Sequence, residues 1–518
     1  SVETATATDS PLVRELFRHR FQNIVEEMGA MLQRSAVSTN VKERMDFSCA
    51  LLDAEGQLVV NAPHIPVHLG ALGLCVREVA KHLELGPGDI AITNHPGFGG
   101  SHLPDVTLIT AIFEAGQRIG YVANRAHHAE IGGIRPGSMP PNAQNLEEEG
   151  VVIAPMLLFE GGNPKWEQIE EILTHSPHPT RKLADNLADL QAQAAANLRG
   201  AQSLEALVAE HGGPLIRLQL ESLAEQSRAS FHKALKSQSL AENEAEEKLD
   251  DGTVIRVAAK HENERFVLDF TGTSATVPGN FSATPAIVRS AILYCLRLWT
   301  GSDLPLNEGL LRDVSTILPR CFLNPEFPAN PRECPAVVGG NVETSQRVVD
   351  TILKLFGIQA CSQGTMNNFI FGNDRFGYYE TIAGGAGAGP DHEGASGLHT
   401  HMTNTAITDP EILEKRYPIL LRQFAIRKQS GGKGRFAGGD GVIREFQFRE
   451  PLEVSLLMQH RIEPPYGLNG GEPGSLGTQH LIRCDGETVA IPGIAAIEVQ
   501  EGERIVIETP GGGGFGVA

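Results

Sequence analysis

The sequence predicts an α+β fold with a mixed, strand-rich N-terminal region, a helical middle, and an α/β C-terminal part that ends β-rich. Two hairpin signals fall between residues 40 and 130, where apolar runs flank short turn segments. A helical pattern rich in Ala, Glu and Gln follows, and after it strand-like segments alternate with Gly-rich loops. These changes predict three regions, residues 1–164, 165–250 and 251–518.

The first predicted element is an amphipathic helix in "DSPLVRELFRHRFQNIVEEMGAMLQRSA". Ser10 can cap this helix, and Pro11 suits its first turn. Apolar residues recur along it and are expected to dock as one stripe: Leu12, Leu16, Phe17, Phe21, Ile24, Val25, Met28 and Leu32.

Later segments predict both helices and strands. "ATPAIVRSAILYCLRLW" predicts a core helix and not a membrane span, because Arg289 and Arg297 interrupt its apolar run. "VETSQRVVDTILKLFG" also predicts a helix, whereas "TVIRVAAKHENERFVLDFTG" predicts strands. The acidic run "AENEAEEKLDD" is interpreted as a solvated helix end or a domain boundary.

Charge and cysteine content exclude several classes of protein. The chain has 43 Lys and Arg against 63 Asp and Glu, a net charge of −20, which argues against nucleic acid or an anionic membrane as partner. We expect a cytoplasmic protein, because no leader-like segment precedes the first predicted helix. Seven cysteines without a C-x-x-C pair suggest neither a disulfide framework nor a thiolate zinc site, and Cys49 and Cys361 are interpreted as buried structural residues.

The Gly-rich segments do not predict a nucleotide site. The phosphate-loop pattern G-x-x-x-x-G-K-[ST] does not occur in the sequence. "GGKGRFAGG" has glycines at a dinucleotide-like spacing, but the strand-like "GGDGVIREFQF" follows where a helix would be needed. We therefore expect this chain by itself neither to bind ATP tightly nor to hydrolyse it.

The second hairpin brings ionisable residues to one strand end. If its turn lies over residues 114–117, Asp105 at the start of the first strand faces Ala126 or His127 at the end of the second. Directly opposed Cβ atoms lie roughly 5 Å apart, a separation that one cation can bridge. His102 lies in a Gly- and Pro-rich loop that is free to turn its imidazole inward.

The first hairpin repeats this arrangement. With its turn at residues 54–56, Asp46 falls opposite His64. His64 and His68 have helical spacing, but Pro66 between them disfavours a helix, so both are interpreted as loop or supporting residues. Two imidazoles with one or two carboxylates suit zinc, or manganese as oxygen ligands increase, although loop histidines that are merely hydrogen-bonded would show the same pattern.

Long motifs resemble the hydantoinase B and oxoprolinase family over essentially the whole chain: "EEMGAMLQRSAVSTNVKERMDFSCALLDAEGQLV", "HIPVHLGAL", "GDIAITNHPGFGGSHLPDVTLITAIF", "ANRAHHAEIGG" and "TPGGGGFG". The resemblance implies the metal-holding beta subunit of an ATP-dependent enzyme that opens hydantoins, 5-oxoproline or larger lactams. It also implies a hydantoinase A-type partner with an actin-like fold that binds the ATP, in an (αβ)2 heterotetramer. Distant relatives are subunits of ATP-dependent ketone carboxylases.

The resemblance assigns the metal ligands one by one. They are His102 and Asp105 of "SHLPD", His127 of "RAHHAEIGG" and Asp46 of "ERMDFSCA". The hairpin geometry alone does not choose between His127 and His128. The resemblance selects His127, which leaves His128 either as a residue that supports the metal ligands or as the catalytic residue that would give a proton to the departing nitrogen.

The resulting expectation is a hydrolase acting on cyclic amides. The partner would phosphorylate the amide oxygen with ATP, and the metal in this chain would activate water. Two alternatives stay open at this point. One is a ketone carboxylase subunit, and the other is a non-catalytic scaffold for the nucleotide-binding partner.

Overall fold

The computed structural model describes residues 10–62, 65–237, 243–262, 265–301, 303 and 305–518. Its α-helices and β-strands are mixed along the chain, so the predicted α+β class is confirmed. His64 lies outside the described residues, and the predicted pairing of His64 with Asp46 therefore stays a prediction. Within the described part, none of the helices combines the length and the apolar composition that a membrane crossing requires.

The helices are numbered in chain order through the described residues. They are α1 (Pro11–Ser35), α2 (Thr39–Lys42), α3 (Pro66–His82), α4 (Leu146–Glu149), α5 (Trp166–His175), α6 (Leu183–His211), α7 (Gly213–Ser237), α8 (Pro285–Thr300), α9 (Ser345–Phe356) and α10 (Pro410–Arg416). A π-helical turn, Gly340–Thr344, leads directly into α9.

The N-terminal sheet is antiparallel, with strand order β2-β1-β5-β4-β3-β6-β7. Its strands are β1 (Phe47–Asp53), β2 (Leu58–Asn61), β3 (Ile90–Thr93), β4 (Asp105–Glu114), β5 (Gln117–His127), β6 (Met156–Glu160) and β7 (Asn163–Pro164). Side chains alternate between its faces, so Cys49 and Leu51 pack with α1, α6 and α7, whereas Ala50 and Leu52 pack with α3 and α8. Helices therefore cover both faces of the sheet.

Helix α1 begins as the sequence predicts, since the Ser10 hydroxyl oxygen accepts a hydrogen bond from the Val13 amide at 3.3 Å. The predicted apolar stripe is wrong at its start, where Leu12 is 80% exposed and Leu16 is 48% exposed. At 3.6 residues per turn, these two leucines lie on the face opposite the buried stripe that begins at Phe17. The position of each apolar residue around the helix axis therefore predicts the buried face better than the spacing between successive apolar residues does.

Helix α3 corrects a second prediction. Pro66, which by its place between His64 and His68 disfavours a helix, occupies the first turn of α3, where a missing amide hydrogen has no consequence and the fixed φ favours a helix. His68 therefore lies in the first turn of a helix and not in a loop, and it is 1% exposed.

Three further sheets form the C-terminal half of the chain. Their orders are β11-β10-β9-β8, β13-β12-β16-β19 and β14-β15-β20-β17-β18. The strands are β8 (Asn243–Lys248), β9 (Val254–Glu262), β10 (Arg265–Asp269), β11 (Val314–Ile317), β12 (Asn368–Gly372), β13 (Gly377–Glu380), β14 (Ile419–Arg427), β15 (Gly441–Phe448), β16 (Leu452–Leu457), β17 (Thr478–Ile482), β18 (Thr488–Ala490), β19 (Ile494–Val499) and β20 (Arg504–Glu508). The last two sheets share one core, in which Phe369 stacks on Phe446 with ring centroids 4.5 Å apart.

The acidic run predicted as a helix end is instead strand β8 over its described part, Asn243–Lys248. Pairing with β9 overrides the local preference of its glutamates, because one face of the strand still buries Ala245. The helices of residues 165–250 pack on the N-terminal sheet, and the boundaries at residues 164 and 250 stay predictions.

Three Gly-rich loops, residues 384–397, 431–441 and 511–516, meet in one closely packed layer. The Gly439 amide donates to the Ala386 carbonyl at 2.9 Å, and the Gly512 amide donates to the Gly439 carbonyl at 2.9 Å. A Cβ on Gly385 would collide with the Gly439 carbonyl oxygen. The glycines therefore allow main chains to pack against one another, which is a structural role in place of phosphate binding.

Candidate metal centre

The candidate centre lies where three strands of the N-terminal sheet end. Asp105 opens β4 and pairs directly with His127, the last residue of β5. The turn at Ala115 and Gly116 alone would place Asp105 opposite Ala126, and a register shift between Ile112 and Phe113 moves the pairing to His127, the other of the two partners that the sequence predicts. Asp46 precedes β1 beside them, and its carbonyl accepts a hydrogen bond from the His127 amide at 3.0 Å.

Three ligand-type atoms converge at this edge of the sheet. Asp105 Oδ1 lies 3.1 Å from His102 Nε2 and 3.3 Å from His127 Nδ1. The three side chains are at most 2% exposed and line a small buried cavity. His102 reaches the cavity from the loop before β4, as predicted from the glycines and proline around it.

The second oxygen of Asp105 is fixed by neighbours. Ser101 Oγ donates to Asp105 Oδ2 at 2.7 Å, and His68 Nε2 lies 3.2 Å from the same oxygen. The other ring nitrogen of His68 is 3.1 Å from Ser48 Oγ. These contacts orient the carboxylate so that Oδ1 faces the two imidazoles.

Asp46 lies at the edge of the cluster, with its Oδ2 atom 3.8 Å from His127 Nδ1. The buried guanidinium of Arg44 lies 3.9 Å from the same oxygen and donates to the Tyr379 carbonyl at 2.7 Å. Met45 between them has a φ of 54°, which is uncommon for a residue with a side chain. The uncommon backbone conformation of Met45 therefore lies directly before Asp46, at the point where the chain directs the Asp46 side chain toward the site.

A distant segment closes the cavity. Asn341, on the π-helical turn, has its side-chain nitrogen 3.2 Å from His102 Nε2. The ring of Tyr379 packs against His127 with centroids 4.9 Å apart, and its hydroxyl donates to Asn368 Oδ1 at 2.7 Å. π-helical turns occur frequently at functional sites, and this one is in contact with the cluster.

His128 is not brought together with the other four predicted residues. Its Nε2 atom is 3.0 Å from Gln193 Oε1, and its Nδ1 atom is 3.1 Å from the Asn186 amide nitrogen, both on α6. His127 faces the cavity and His128 faces away from it, as alternation along an extended chain predicts.

Electrostatics favour an ionised carboxylate at the centre. Burial acts to raise the pKa of Asp105, but the adjacent imidazoles of His102 and His68 outweigh it and hold that pKa well below 3.8. Burial lowers the pKa of His127 although Asp46 and Asp105 act in the opposite direction, which favours its neutral imidazole. An ionised carboxylate and a neutral imidazole are the forms that bind metals.

The residues present are suited to a divalent cation. Asp105 Oδ1, which faces His102 Nε2 and His127 Nδ1, is buried without a hydrogen-bond partner among the described residues. The opposite ring nitrogens, His102 Nδ1 and His127 Nε2, are also buried and unpartnered within the described part of the chain. Asp105 Oδ1 lies between two imidazoles without a hydrogen bond to either of them. A ligand that binds all three side chains explains this arrangement.

Sequence reasoning missed Asn341 and Tyr379, because each reaches the cluster from a segment whose position only the folded chain defines. It also missed Arg44, although this residue lies two positions before Asp46. His68 is a supporting residue, as the sequence indicates, but it lies in a helix and not in a loop.

Fold and site together define an α+β protein with a buried His, His and Asp cluster of the kind that holds a divalent cation. The chain belongs to the hydantoinase B/oxoprolinase family, whose model matches residues 10–518.

The chain covers very different shares of the length of two curated relatives. It is 45% identical to 5-oxoprolinase 1 of Arabidopsis thaliana over 543 residues, which is 100% of this chain and 42% of that protein. It is 33% identical to an uncharacterized protein of Methanocaldococcus jannaschii over 518 residues, 97% of this chain and 90% of that protein. The chain thus spans less than half of the first relative.

Two solved structures share the fold. An ATP-dependent caprolactamase from Pseudomonas jessenii superposes with a TM-score of 0.88 at 24% identity, over 98% of this chain and 91% of that chain. An acetone carboxylase superposes with a TM-score of 0.86 at 16% identity, over 99% of this chain and 76% of that chain. At these identities, both comparisons bear on the fold alone.

Proposed function

We propose that the chain is the metal-binding beta subunit of an ATP-dependent enzyme that hydrolyses a cyclic amide, such as a hydantoin, 5-oxoproline or a larger lactam. The convergence of His102, Asp105 and His127 in one buried cavity carries the proposal. Support for the reaction class comes from the relative named 5-oxoprolinase 1, a name that refers to an enzyme acting on a cyclic amide. The fold shared with an ATP-dependent caprolactamase is compatible with this class.

His102, Asp105 and His127 would hold one divalent cation, and Asp46 would complete the set. Two imidazoles with one or two carboxylates suit zinc, and manganese suits the set as its oxygen share increases. Bound there, the cation would supply Lewis acidity and make water a stronger nucleophile near neutral pH.

The chain's own residues prepare the site for this chemistry. Ser101 and His68 hold one oxygen of Asp105, which leaves the other oxygen facing the imidazoles. Arg44 offsets part of the negative charge of Asp46. Burial of the cluster excludes bulk water, so that electrostatic interactions with a polarised amide are strengthened.

His128 has a positioning role in this proposal. Its hydrogen-bonding contacts with Gln193 and Asn186 tie the end of β5 to helix α6. That connection fixes the direction in which the neighbouring His127 points. A direct proton transfer from His128 to substrate would require its ring to leave both contacts.

ATP would act in a separate hydantoinase A-type partner, in an (αβ)2 assembly. An amide is a poor electrophile, and phosphorylation of its oxygen by the partner would create a better leaving group. This division agrees with the 42% of 5-oxoprolinase 1 that the chain matches, since the remaining length of that relative leaves room for a second activity.

The seven cysteines, all unpaired across the described chain, agree with a cytoplasmic location.

The test is a substrate screen on the complex of this chain with its nucleotide-binding partner, with ATP and hydantoin, 5-oxoproline or caprolactam. We expect ring opening coupled to ATP hydrolysis. His102→Ala should abolish turnover and remove about one metal ion per chain. His95→Ala is the matched control, because His95 is a buried histidine of the same loop that packs on Phe98 and lies outside the cluster.

Other outcomes separate the alternatives. Turnover of acetone with bicarbonate, and of none of the cyclic amides, would identify a carboxylase subunit. Unchanged ring opening by a complex that contains the His102→Ala chain would leave this chain as a non-catalytic scaffold and would refute the proposed function.

A further inference from the structure

A second cluster of ligand-type side chains lies in the C-terminal half of the chain. Asp350 on helix α9, Cys361 in the following loop and His460 after β16 are all fully buried. One ligand atom from each lies within 4.8 Å of the others. None of the three lines the cavity of the first centre, and the function proposed above makes no use of them.

The separation of these atoms matches a shared metal ion. Cys361 Sγ lies 3.7 Å from His460 Nε2. Bond lengths of about 2.3 Å from zinc to sulfur and about 2.0–2.1 Å to nitrogen, at a tetrahedral angle, place the two ligand atoms roughly 3.6 Å apart. Without an ion, the same distance suits a hydrogen bond between the thiol and the imidazole, and it needs little adjustment to accept an ion.

The histidine is oriented as a ligand. His460 Nδ1 lies 2.5 Å from the Glu463 carbonyl oxygen, so this nitrogen carries the proton and the lone pair of Nε2 faces Cys361 and Asp350. Metal-binding histidines generally hold their second ring nitrogen in this way. A thiol nucleophile activated by a His–Asp pair would require the opposite arrangement, with the carboxylate at the proton-bearing nitrogen.

One carboxylate oxygen of Asp350 is available to bind an ion. Asp350 Oδ1 lies 3.2 Å from His401 Nε2 and accepts from the Ser362 amide at 3.4 Å. Asp350 Oδ2 is buried with no hydrogen-bond partner among the described residues. A Cβ on Gly364 would contact both Asp350 Oδ2 and His460 Nε2, so these two atoms face the same space. A buried acceptor without a partner is costly unless a ligand completes it.

The backbone around the cluster is held in uncommon conformations. His460 has a φ of 57° and His401 has a φ of 56°, in the left-handed region that residues with side chains seldom adopt. Gly364, the glycine against the cluster, has a φ of 60°. Two histidines with uncommon backbone conformations therefore lie against one group of side chains, which is where proteins concentrate such strain for function, whereas Gly364 adopts its positive φ without strain.

We propose that Asp350, Cys361 and His460 form a second divalent-metal site, of the thiolate, imidazole and carboxylate type that zinc favours. The ion would bind the thiolate of Cys361, and the thiol proton would pass to solvent buffer on binding. One thiolate and one carboxylate would balance the two positive charges of the ion, and the buried guanidinium of Arg347 would remain near Cys361 and His460.

The complete burial of the three ligands makes this a structural site. An ion there would join helix α9 to the loops that contain Cys361 and His460. The loop of Cys361 also reaches the first centre, because Met366 lines its cavity. Met402, which lines the same cavity, follows His401, and His401 contacts Asp350. The second ion would therefore help to hold these walls of the first site in place.

The test uses cobalt(II) as a spectroscopic probe on the full chain after metal removal with a chelator. A thiolate ligand gives a cobalt charge-transfer absorption in the near ultraviolet, and the first centre has no cysteine among its proposed ligands. We expect this absorption in the wild-type chain and in His102→Ala. It should disappear in Cys361→Ser and remain in Cys321→Ser, a matched control at a buried cysteine outside the cluster.

The wild-type chain alone can overturn the proposal, so the result does not depend on whether a variant folds. Cobalt binding without a thiolate band would refute the site, and so would a band that persists in a folded Cys361→Ser chain. X-ray absorption on the zinc-loaded His102→Ala chain provides a second measurement. One sulfur ligand per zinc supports the site, whereas a shell of nitrogen and oxygen alone contradicts it.

Discussion

Two adjacent histidines at the end of β5 have opposite surroundings, and this difference predicts different effects of substitution. His127→Ala should remove the ion of the first centre together with the stability that the ion contributes. That contribution is RT ln(1 + [L]/Kd), about 4 kcal/mol when free metal is about a thousand times Kd. His128→Ala should keep the metal and should lower stability only through the lost contacts with Gln193 and Asn186.

Metal analysis and thermal unfolding of the two variants, measured side by side, decide this prediction. Added metal should raise the melting temperature of His128→Ala as it does for the wild type, and it should leave His127→Ala with a smaller shift. A metal-free His128→Ala chain beside a fully loaded His127→Ala chain would show that the ligand is the other histidine.

Glu149 predicts a dependence of stability on pH. Its side chain is fully buried, and burial raises its pKa to about 8 although the Val337 and Val338 amides donate to it. Between about pH 4.5 and 8, the folded chain holds a proton that the unfolded chain has released. The free energy of unfolding therefore falls as pH rises through this window.

Glu149→Gln should flatten that fall, because the amide cannot ionise and its oxygen can still accept from the backbone. Urea unfolding at about pH 5, 6.5 and 8 measures the slope. Glu498→Gln, at an exposed position on β19, is the control and should leave the slope unchanged. Equal slopes in all three proteins would contradict a raised pKa for Glu149.

At the scale of elements, the π-helical turn before α9 should be sensitive to a single added methyl group. A Cβ on Gly340 would collide with the Ser282 carbonyl oxygen, and the next residue, Asn341, contacts His102. Gly340→Ala should therefore lower the free energy of unfolding by about 1–3 kcal/mol, the usual range for overpacking. It should also weaken metal retention at the first centre.

Gly86→Ala provides the comparison, since the nearest atom to its added Cβ is Asp89 Oδ2 at 3.4 Å, an ordinary contact. Denaturant unfolding and metal dissociation, measured on both variants, test the prediction. A Gly340→Ala chain that is as stable as the Gly86→Ala chain would contradict this prediction, because the turn would then accommodate the methyl group without displacing the segment that contains Ser282.

Elements with local signals were predictable, and those that depend on distant partners were not. The turn at Ala115 and Gly116 limits the partner of Asp105 to Ala126 or His127, and the register shift between Ile112 and Phe113, which the structure shows, selects His127. Strand β8 could not be predicted, because its glutamates favour a strand only once β9 lies beside them. Pro66 was misinterpreted because proline opens a helix as readily as it ends one.

At the scale of the whole molecule, both clusters draw on segments that are far apart in the chain. The first centre joins the strand ends of the N-terminal sheet to Asn341 and Tyr379, and the second joins Asp350 to His460. Such separations leave no periodicity or spacing for sequence reasoning to use. The hairpin residues of the first centre were predicted, whereas the side chains that close it were not.

The whole chain should depend on a partner for nucleotide. The sequence has no phosphate loop of the Walker type, and its Gly-rich segments pack on one another in the layer that contains Gly439 and Gly512. Calorimetry on the isolated chain should therefore detect no submicromolar ATP binding, and phosphate release should match a protein-free control. Titration of ATP into the complex with the partner is the positive control. Tight binding of ATP to this chain alone would contradict the proposal that the partner binds ATP and this chain binds the metal, because one chain would then do both.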